Sequence, residues 1–337
     1  MIPASPHPAQ PSDWRRQYRD IITSASELLA EVGLSHLANR VPPDDAGFPL
    51  RVTRAFVARM RHGDPDDPLL RQVLPLDEEL QTAPGFEFDA VGDLAASEAR
   101  GVLHKYEGRA LLVATGSCAV NCRYCFRRHF PYGEQAAAAN GWRASLDWLA
   151  QHPDIDEVLL SGGDPLALST RKLTEFTTAL HEIKHVHRLR IHSRLPVILP
   201  ARIDAEFLDW VDTLSWPLVM VIHANHAQEL AADVAEACHA LTRHGVRLYN
   251  QSVLLRGVND SVDALGTLSE RLFALGVQPY YLHQLDKVAG TAHFEVPDAQ
   301  ALALYEELRA HLPGYLLPRL VREVAGASAK LPLQDTI

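Results

Sequence analysis

Long apolar runs are missing from this sequence: none approaches the roughly 20 residues of a membrane span. The N-terminus also lacks the charged-then-apolar pattern of a secretory signal, so a cytoplasmic protein that does not enter membranes is expected. An excess of positive charge is missing too. The 42 acidic residues outnumber 32 basic ones and leave a formal charge of -10, which argues against a general nucleic-acid binder or a protein held to anionic membranes. A small molecule or a specific protein is the expected partner. Cysteine is rare, at four residues, and a reducing compartment fits; lysine is nearly as rare, at five, in a chain that otherwise uses arginine.

The little cysteine present is concentrated. Cys118, Cys122 and Cys125 lie between Gly116 and Arg128, spaced C-x-x-x-C-x-x-C, directly after the apolar run Leu111 to Ala114. Thiolates bind soft metals, and three on one short loop can each hold an iron of a cubane cluster while the fourth iron keeps an open position. Zinc would call for a fourth Cys or His, with His129 the nearby candidate. Three unconnected buried thiols would leave the clustering unexplained. Cys238 sits in the amphipathic stretch Ala-Glu-Ala-Cys-His-Ala-Leu, where a small buried thiol is expected.

Residues 1 to 12, rich in Pro, Ser and Ala, read as disordered. From Trp14, apolar residues recur at helical spacing through Tyr18, Ile22, Ala25 and Leu29 up to Gly33, and Arg54 to Met60 reads as a second helical segment before an irregular stretch, Gly63 to Pro84. Residues 1 to 100 are therefore expected to form a helical arm packed on the main domain, its charges facing solvent. From Arg109, short apolar strands alternate with amphipathic helices. The strands are Ala110 to Ala114, Glu157 to Leu160, Leu189 to His192, Leu218 to Ile222, Val246 to Leu255 and Val277 to Leu282. Clear helices are Thr170 to Lys184, Asp204 to Leu214, Ala227 to His244 and Val262 to Leu275. The pattern predicts an α/β fold with a parallel sheet, a partial (β/α)6 barrel over residues 101 to 312, followed by a short C-terminal segment, 313 to 337. Cys118, Gly162-Gly163-Asp164, His192-Ser193-Arg194, His223 and Asp286 all fall at or just past the C-terminal ends of these strands, the end where β/α barrels carry active sites.

Two further stretches carry chemistry. In Ser161-Gly162-Gly163-Asp164-Pro165 the glycines let backbone approach a ligand and the carboxylate can accept from an ammonium group, although a Gly-Gly-Asp turn alone is usually only a turn. Lys330, in the small-residue loop Gly326 to Pro332, can form a Schiff base with pyridoxal phosphate (PLP) if its amine is desolvated; it equally reads as a solvated tail lysine.

The cysteine loop resembles that of the radical S-adenosylmethionine (SAM) enzymes. With Ser161 to Asp164, the run Asn250-Gln251-Ser252-Val253-Leu254-Leu255-Arg256-Gly257-Val258-Asn259-Asp260, the run Pro279-Tyr280-Tyr281 and the terminal lysine, the chain resembles the lysine 2,3-aminomutase family over about residues 95 to 335. Its likeness is greatest to the short branch that supplies β-lysine for modification of elongation factor P. That resemblance implies an isomerase combining radical SAM chemistry with PLP, which moves the α-amino group of L-lysine to the β-carbon and yields (R)-β-lysine. It also implies a reductase such as flavodoxin or ferredoxin, and a functional link to the elongation factor P lysylation enzyme. Cys118, Cys122 and Cys125 would ligate a [4Fe-4S] cluster, Ser161, Gly162, Gly163, Asp164, His223 and Gln251 would contact SAM, and Lys330 would carry PLP. Lys105, Tyr106 and Arg109 match a family Arg-Tyr-Pro-x-Arg pattern that holds PLP and its phosphate, with lysine in place of the first arginine, so the charge is kept and the bidentate fork lost.

Arg127 matches the arginine that pairs with the substrate carboxylate; the alternative is an arginine bonded to loop carbonyls, and Arg128 is its neighbour and competitor. Asp286 matches one of two aspartates that read the distal ammonium, and the second position holds Glu323, one methylene longer. Longer family members carry a subunit-bridging zinc site that uses a cysteine where this chain has Ser261, so that zinc is not expected. Three other readings stay open, each with its own mark: an aminomutase for another amino acid would prefer that substrate in competition, a radical SAM enzyme without PLP would lack the cofactor's absorbance, and a non-catalytic metal-binding module would bind zinc and leave SAM intact.

Overall fold

A computed structural model describes residues 14–44 and 47–336. The N-terminal stretch read as disordered lies outside the described residues. Ten strands form one sheet in sequence order: β1 (Ser97–Ala99), β2 (Val102–Tyr106), β3 (Arg109–Thr115), β4 (Glu157–Gly162), β5 (Arg188–Ser193), β6 (Leu218–His223), β7 (Arg247–Val253), β8 (Gln278–His283), β9 (Arg319–Arg322) and β10 (Leu331–Pro332). Pairing is parallel from β3 through β9 and antiparallel at both margins, where β1 and β2 lead in and β10 folds back on β9. The six expected strands all form. The seventh parallel strand, β9, comes from the C-terminal segment and hydrogen-bonds beside β8, with Gln284 N donating to Val321 O at 2.8 Å. The strand order runs from β1 to β10 with no closing pair between them, so the barrel is partial.

The helices between strands start where short polar side chains cap them. Ser169 opens Thr170–His181, Asp204 opens Ala205–Asp212 and Ser261 opens Val262–Ala274, each accepting a backbone N–H of the first turn. The stretch from Ala227 divides into a short 3-10 turn and a helix beginning at Ala232. Alternation along the strands separates two faces. Leu112, Leu160, Leu189, Ile191, Met220, Ile222 and Leu248 join the helices in one core, with Leu173, Phe176, Phe207, Trp210, Leu241 and Leu272. The opposite face of the same strands carries Ser161, His192, His223 and Gln251, only partly buried. A parallel sheet covered on both faces is normally apolar on both; polar residues on this inner face mark the barrel lumen as the site.

The N-terminal arm differs from expectation in two ways. Its first helix is broken into Trp14–Arg19 and Ala25–Glu31, because Ile22 between them exchanges backbone hydrogen bonds with Val52 at 2.8 and 3.0 Å. Its charges do not all face solvent. Asp67, Glu79 and Asp93 are buried, and Arg59 reaches Val197 O at 2.6 Å and Asp233 at 2.8 Å. These side chains are satisfied inside the interface between arm and barrel, where an unpaired charge would be costly. No helix among the described residues is long and apolar enough to cross a membrane.

Candidate active site

The cysteine loop leaves the end of β3 and is held from outside by the arm. Tyr18 OH meets Ser117 Oγ at 2.6 Å, Arg51 Nε donates to Cys118 O at 2.9 Å, and Asn121 N donates back to Arg51 O at 2.9 Å. Glu79 receives Arg123 Nη2 at 2.6 Å and Arg128 Nη2 at 2.7 Å, all three side chains being buried. Arg128 also donates to the carbonyls of Arg123 and Gly290 at 3.0 and 2.8 Å. Carbonyl bonding, considered for Arg127, is thus the work of its neighbour.

The three thiols are free and partly buried. Burial pushes Cys118 well up, with Asp164, Cys125 and Cys122 adding to the effect, and burial and Cys122 bring Cys125 up to about 11. Arg194 Nη1 donates to Cys122 Sγ at 2.7 Å. Among the described residues, no three His, Cys, Asp or Glu side chains converge as ligands of a single ion. A tetrahedral ion needs its sulfur ligands about 2.3 Å from one point. A cubane instead takes one thiolate at each of three irons, and three cysteines on one loop supply that donor set. His129, the candidate fourth zinc ligand, places Nε2 at 3.0 Å from Ala289 O instead.

Behind the loop, the turn after β4 packs directly on it. Gly162 has φ +117° and a Cβ there would lie 2.9 Å from Thr115 O of β3, while a Cβ on Gly163 would lie 2.6 Å from Ser117 O and push the loop away. Asp164 is buried and engaged by the protein at both oxygens. Oδ1 accepts from Ser193 Oγ at 2.7 Å and Leu166 N at 3.0 Å, and Oδ2 accepts from the N–H groups of Arg194 and Leu195 at 2.8 and 3.0 Å. Burial brings its carboxyl up to about 6 against the pull of these hydrogen bonds. The structure therefore gives Asp164 a bracing part between β4 and β5, while Ser161 presents its hydroxyl to Arg127.

Within the lumen, His223 and Gln251 occupy paired positions on β6 and β7, and Gln251 is paired in turn with Tyr281 on β8. His192 lies with its ring 6.0 Å from that of His223, edge to face. The Nε2 atoms of His192, His223 and His283 are buried without a hydrogen-bond partner. Burial holds all three imidazoles neutral: His223 is pulled down to about 3, and His192 and His283 fall well below the usual range with cations nearby, Lys330 acting on both. Unsatisfied buried nitrogens are uncommon in native proteins and call for a ligand or water.

At the open margin of the barrel, charges alternate in sign. Arg127 Nε is 2.5 Å from Asp93 Oδ2, Asp93 Oδ1 is 2.5 Å from Lys105 Nζ, Lys105 Nζ is 2.9 Å from Glu323 Oε1, and Glu323 Oε2 is paired with Lys330 Nζ. Lys330 reaches this row because β10 turns back on β9, bringing the loop between them to the end of β8. Burial would raise the Glu323 carboxyl, but Lys330 and Lys105 outweigh it and hold it well below the usual range. Asp286 stands beside the row, pushed up to about 7 by burial and by the Glu323 carboxylate. Tyr106 belongs to the same group: its phenol is raised by burial and by Glu323, and the Arg109 guanidinium stacks over its ring at 4.8 Å. No ion pair among the described residues engages Arg109.

The structure thus gathers Lys105, Tyr106, Arg109, Arg127, Asp286, Glu323 and Lys330 at one margin, the three cysteines and the glycine turn at the mouth, and His223 with Gln251 in the lumen. Several participants escaped the sequence. Asp93 and Glu79 lie in irregular arm text and gain their meaning only from distant cations. Glu229, in the stretch read as the helix Ala227 to His244, likewise gains its meaning only from a distant cation, accepting Arg194 Nη2 at 3.0 Å. His283 had a signal, since it ends its strand as His223 does and as His192 nearly does. The donor sets fit the groups implied by the motifs: thiols for iron, an amine with a nearby unpaired guanidinium for PLP, and for SAM unpartnered imidazoles and an amide in the lumen with the glycine turn at its mouth.

No protein-family model matches the chain. It is similar to an L-lysine 2,3-aminomutase of Escherichia coli (strain K12), 46% identical over 323 residues that cover 95% of this chain and 94% of that protein. It is also similar to an L-lysine 2,3-aminomutase of Clostridium subterminale, 34% identical over 324 residues, covering 96% of this chain and 78% of that one. Among solved structures, a radical SAM methyltransferase from Sphaerobacter thermophilus aligns over 69% of this chain and 72% of its own, at 17% identity and a TM-score of 0.48.

Proposed function

The chain belongs to the lysine 2,3-aminomutase family of isomerases, and we propose that it converts L-α-lysine to β-lysine, in the (R) form, for modification of elongation factor P. The observation that carries the substrate is the row of charges around Lys330. Arg127 offers a planar cation suited to an α-carboxylate, and Asp286 offers a carboxylate suited to a distal ammonium, with the PLP lysine in the same group.

Family membership carries with it a [4Fe-4S] cluster, SAM and PLP; when bound, the cluster and SAM supply a radical that takes hydrogen from carbon, and PLP supplies the group across which nitrogen migrates. The chain's own residues position and exclude. Cys118, Cys122 and Cys125 would hold the cluster, and Ser161, Gly162, Gly163, His223 and Gln251 would bind SAM, with Asp164 bracing their turn. Lys330 would hold PLP, flanked by Tyr106 and Arg109, the latter free to take the phosphate. Arg127 uses Nε on Asp93 and Nη1 on Ser161, which leaves Nη2 to the substrate carboxylate. Glu323, held between Lys105 and Lys330 beside Asp286, would be the second carboxylate near the distal ammonium. Neutral imidazoles at His192, His223 and His283 would offer hydrogen bonds without adding repulsion to a cationic substrate. An electron donor such as flavodoxin or ferredoxin and work in the cytoplasm complete the reading.

Anaerobic incubation of the iron-reconstituted, PLP-loaded protein with dithionite, SAM and L-lysine, followed by chiral mass spectrometry, tests it. (R)-β-Lysine with 5'-deoxyadenosine is expected. 5'-Deoxyadenosine alone would move the substrate elsewhere, and neither product from an intact cluster would sink the enzymatic reading. Lys330→Ala should lose bound PLP, read from its near-ultraviolet absorbance after gel filtration, and nearly all turnover. Retained absorbance at full occupancy would remove Lys330 from its role.

A further inference from the structure

Asp93 lies in the arm, outside the stretch that the motifs cover, and its side chain is 1% exposed. A carboxylate so buried is costly unless its charge is matched. Here each oxygen has its own cation: Oδ2 takes Arg127 Nε at 2.5 Å and Oδ1 takes Lys105 Nζ at 2.5 Å. The two cations come from different parts of the fold, Arg127 from the cysteine loop and Lys105 from β2. Lys105 Nζ continues to Glu323 Oε1 at 2.9 Å, and Glu323 to Lys330.

The turn that presents Asp93 is itself built for placement. Asp89 accepts the N–H groups of Asp93 and Leu94, both at 2.9 Å. Lys105 Nζ donates back to Val91 O at 2.7 Å. Gly92 has φ +67°, and a Cβ there would come within 3.1 Å of the Ala325 side chain, so the turn sits against the segment that carries Glu323 and Lys330.

We propose that Asp93 is a positioning residue for this reaction: it fixes the plane of the Arg127 guanidinium so that its remaining Nη edge meets the substrate carboxylate, and through Lys105 it sets that edge relative to Lys330. An arginine held at Nε by a carboxylate and at Nη1 by Ser161 Oγ, 3.2 Å away, cannot rotate about its last bonds. Its fork is preorganised, and the discrimination for a charged carboxylate follows from that. The inference rests on the reading of Arg127 as the carboxylate-binding group.

The test is equilibrium binding of L-lysine and of L-lysinamide, which has no carboxylate, to the unreduced holoenzyme carrying cluster, PLP and SAM, so that no turnover occurs. Asp93→Asn keeps shape and removes the charge; it should weaken L-lysine by about tenfold while leaving lysinamide nearly unchanged, with iron and PLP contents at parent values. Asp93→Glu keeps the buried cations paired, and so folds even if Asp93→Asn does not. Its longer side chain shifts the fork, and the preference for lysine over lysinamide should fall about threefold or more. A parent preference that survives in the variants that fold overturns the role of Asp93 alone, as does a loss equal for both ligands. A parent enzyme that does not prefer lysine to lysinamide overturns the reading of Arg127, and Asp93 with it.

Discussion

A single charge at Asp286 ties the site to pH. Burial and the neighbouring Glu323 carboxylate push its carboxyl up to about 7, with Lys330 and Lys105 opposing. The fraction ionised therefore grows as pH rises through neutrality, while the distal ammonium of lysine stays charged. Lysine affinity of the holoenzyme should strengthen between about pH 6 and pH 8 and weaken again on acidification, and Asp286→Asn should bind lysine about tenfold more weakly with a flat profile. Calorimetric titration at several pH values checks this, and an unchanged slope in the variant would remove Asp286 from substrate recognition. At this scale the sequence was informative where residue type is special. Three cysteines in one loop and one lysine among small residues stand out in a chain poor in both. Asp164 shows the opposite case: its type and place agreed with a ligand contact, yet four protein donors already occupy it.

Among the elements, the cysteine loop depends on a clamp that no local pattern announces. Glu79 lies in a 3-10 turn, Asp77–Leu80, and its carboxylate neutralises Arg123 and Arg128 at once. Glu79→Ala would leave two buried guanidinium groups without their counter-charge, at a cost of about 3–5 kcal/mol. Chemical denaturation should show that loss, and iron content after reconstitution should fall because Arg123 and Arg128 flank Cys125. A variant with parent stability and iron would mean that solvent replaces the carboxylate. The strands themselves were legible, since short apolar or alternating stretches between amphipathic helices have few other solutions. The strand β9 was not, because Arg319–Arg322 has charged ends and only two buried residues, and it becomes a strand by pairing with β8.

For the whole molecule, the arm is part of the site and not an appendage. It supplies Asp93 to Arg127, Glu79 to the loop arginines, Arg51 to Cys118 O and Tyr18 to Ser117. A truncated chain starting at Ala95 should therefore fail to hold iron and should melt at lower temperature or stay insoluble; a soluble, iron-loaded product of that length would show the arm to be dispensable. The sequence by itself determined the barrel and which rare side chains stand in the loop and the tail, because hydrophobic period and rare residue types are local properties. It did not determine which charges are spent on the protein and which are left for ligands. That was decided by the tertiary structure, since whether a carboxylate is buried against a cation depends on residues far away in sequence: Asp93 with Arg127, Glu79 with Arg123 and Arg128, Glu323 with Lys105.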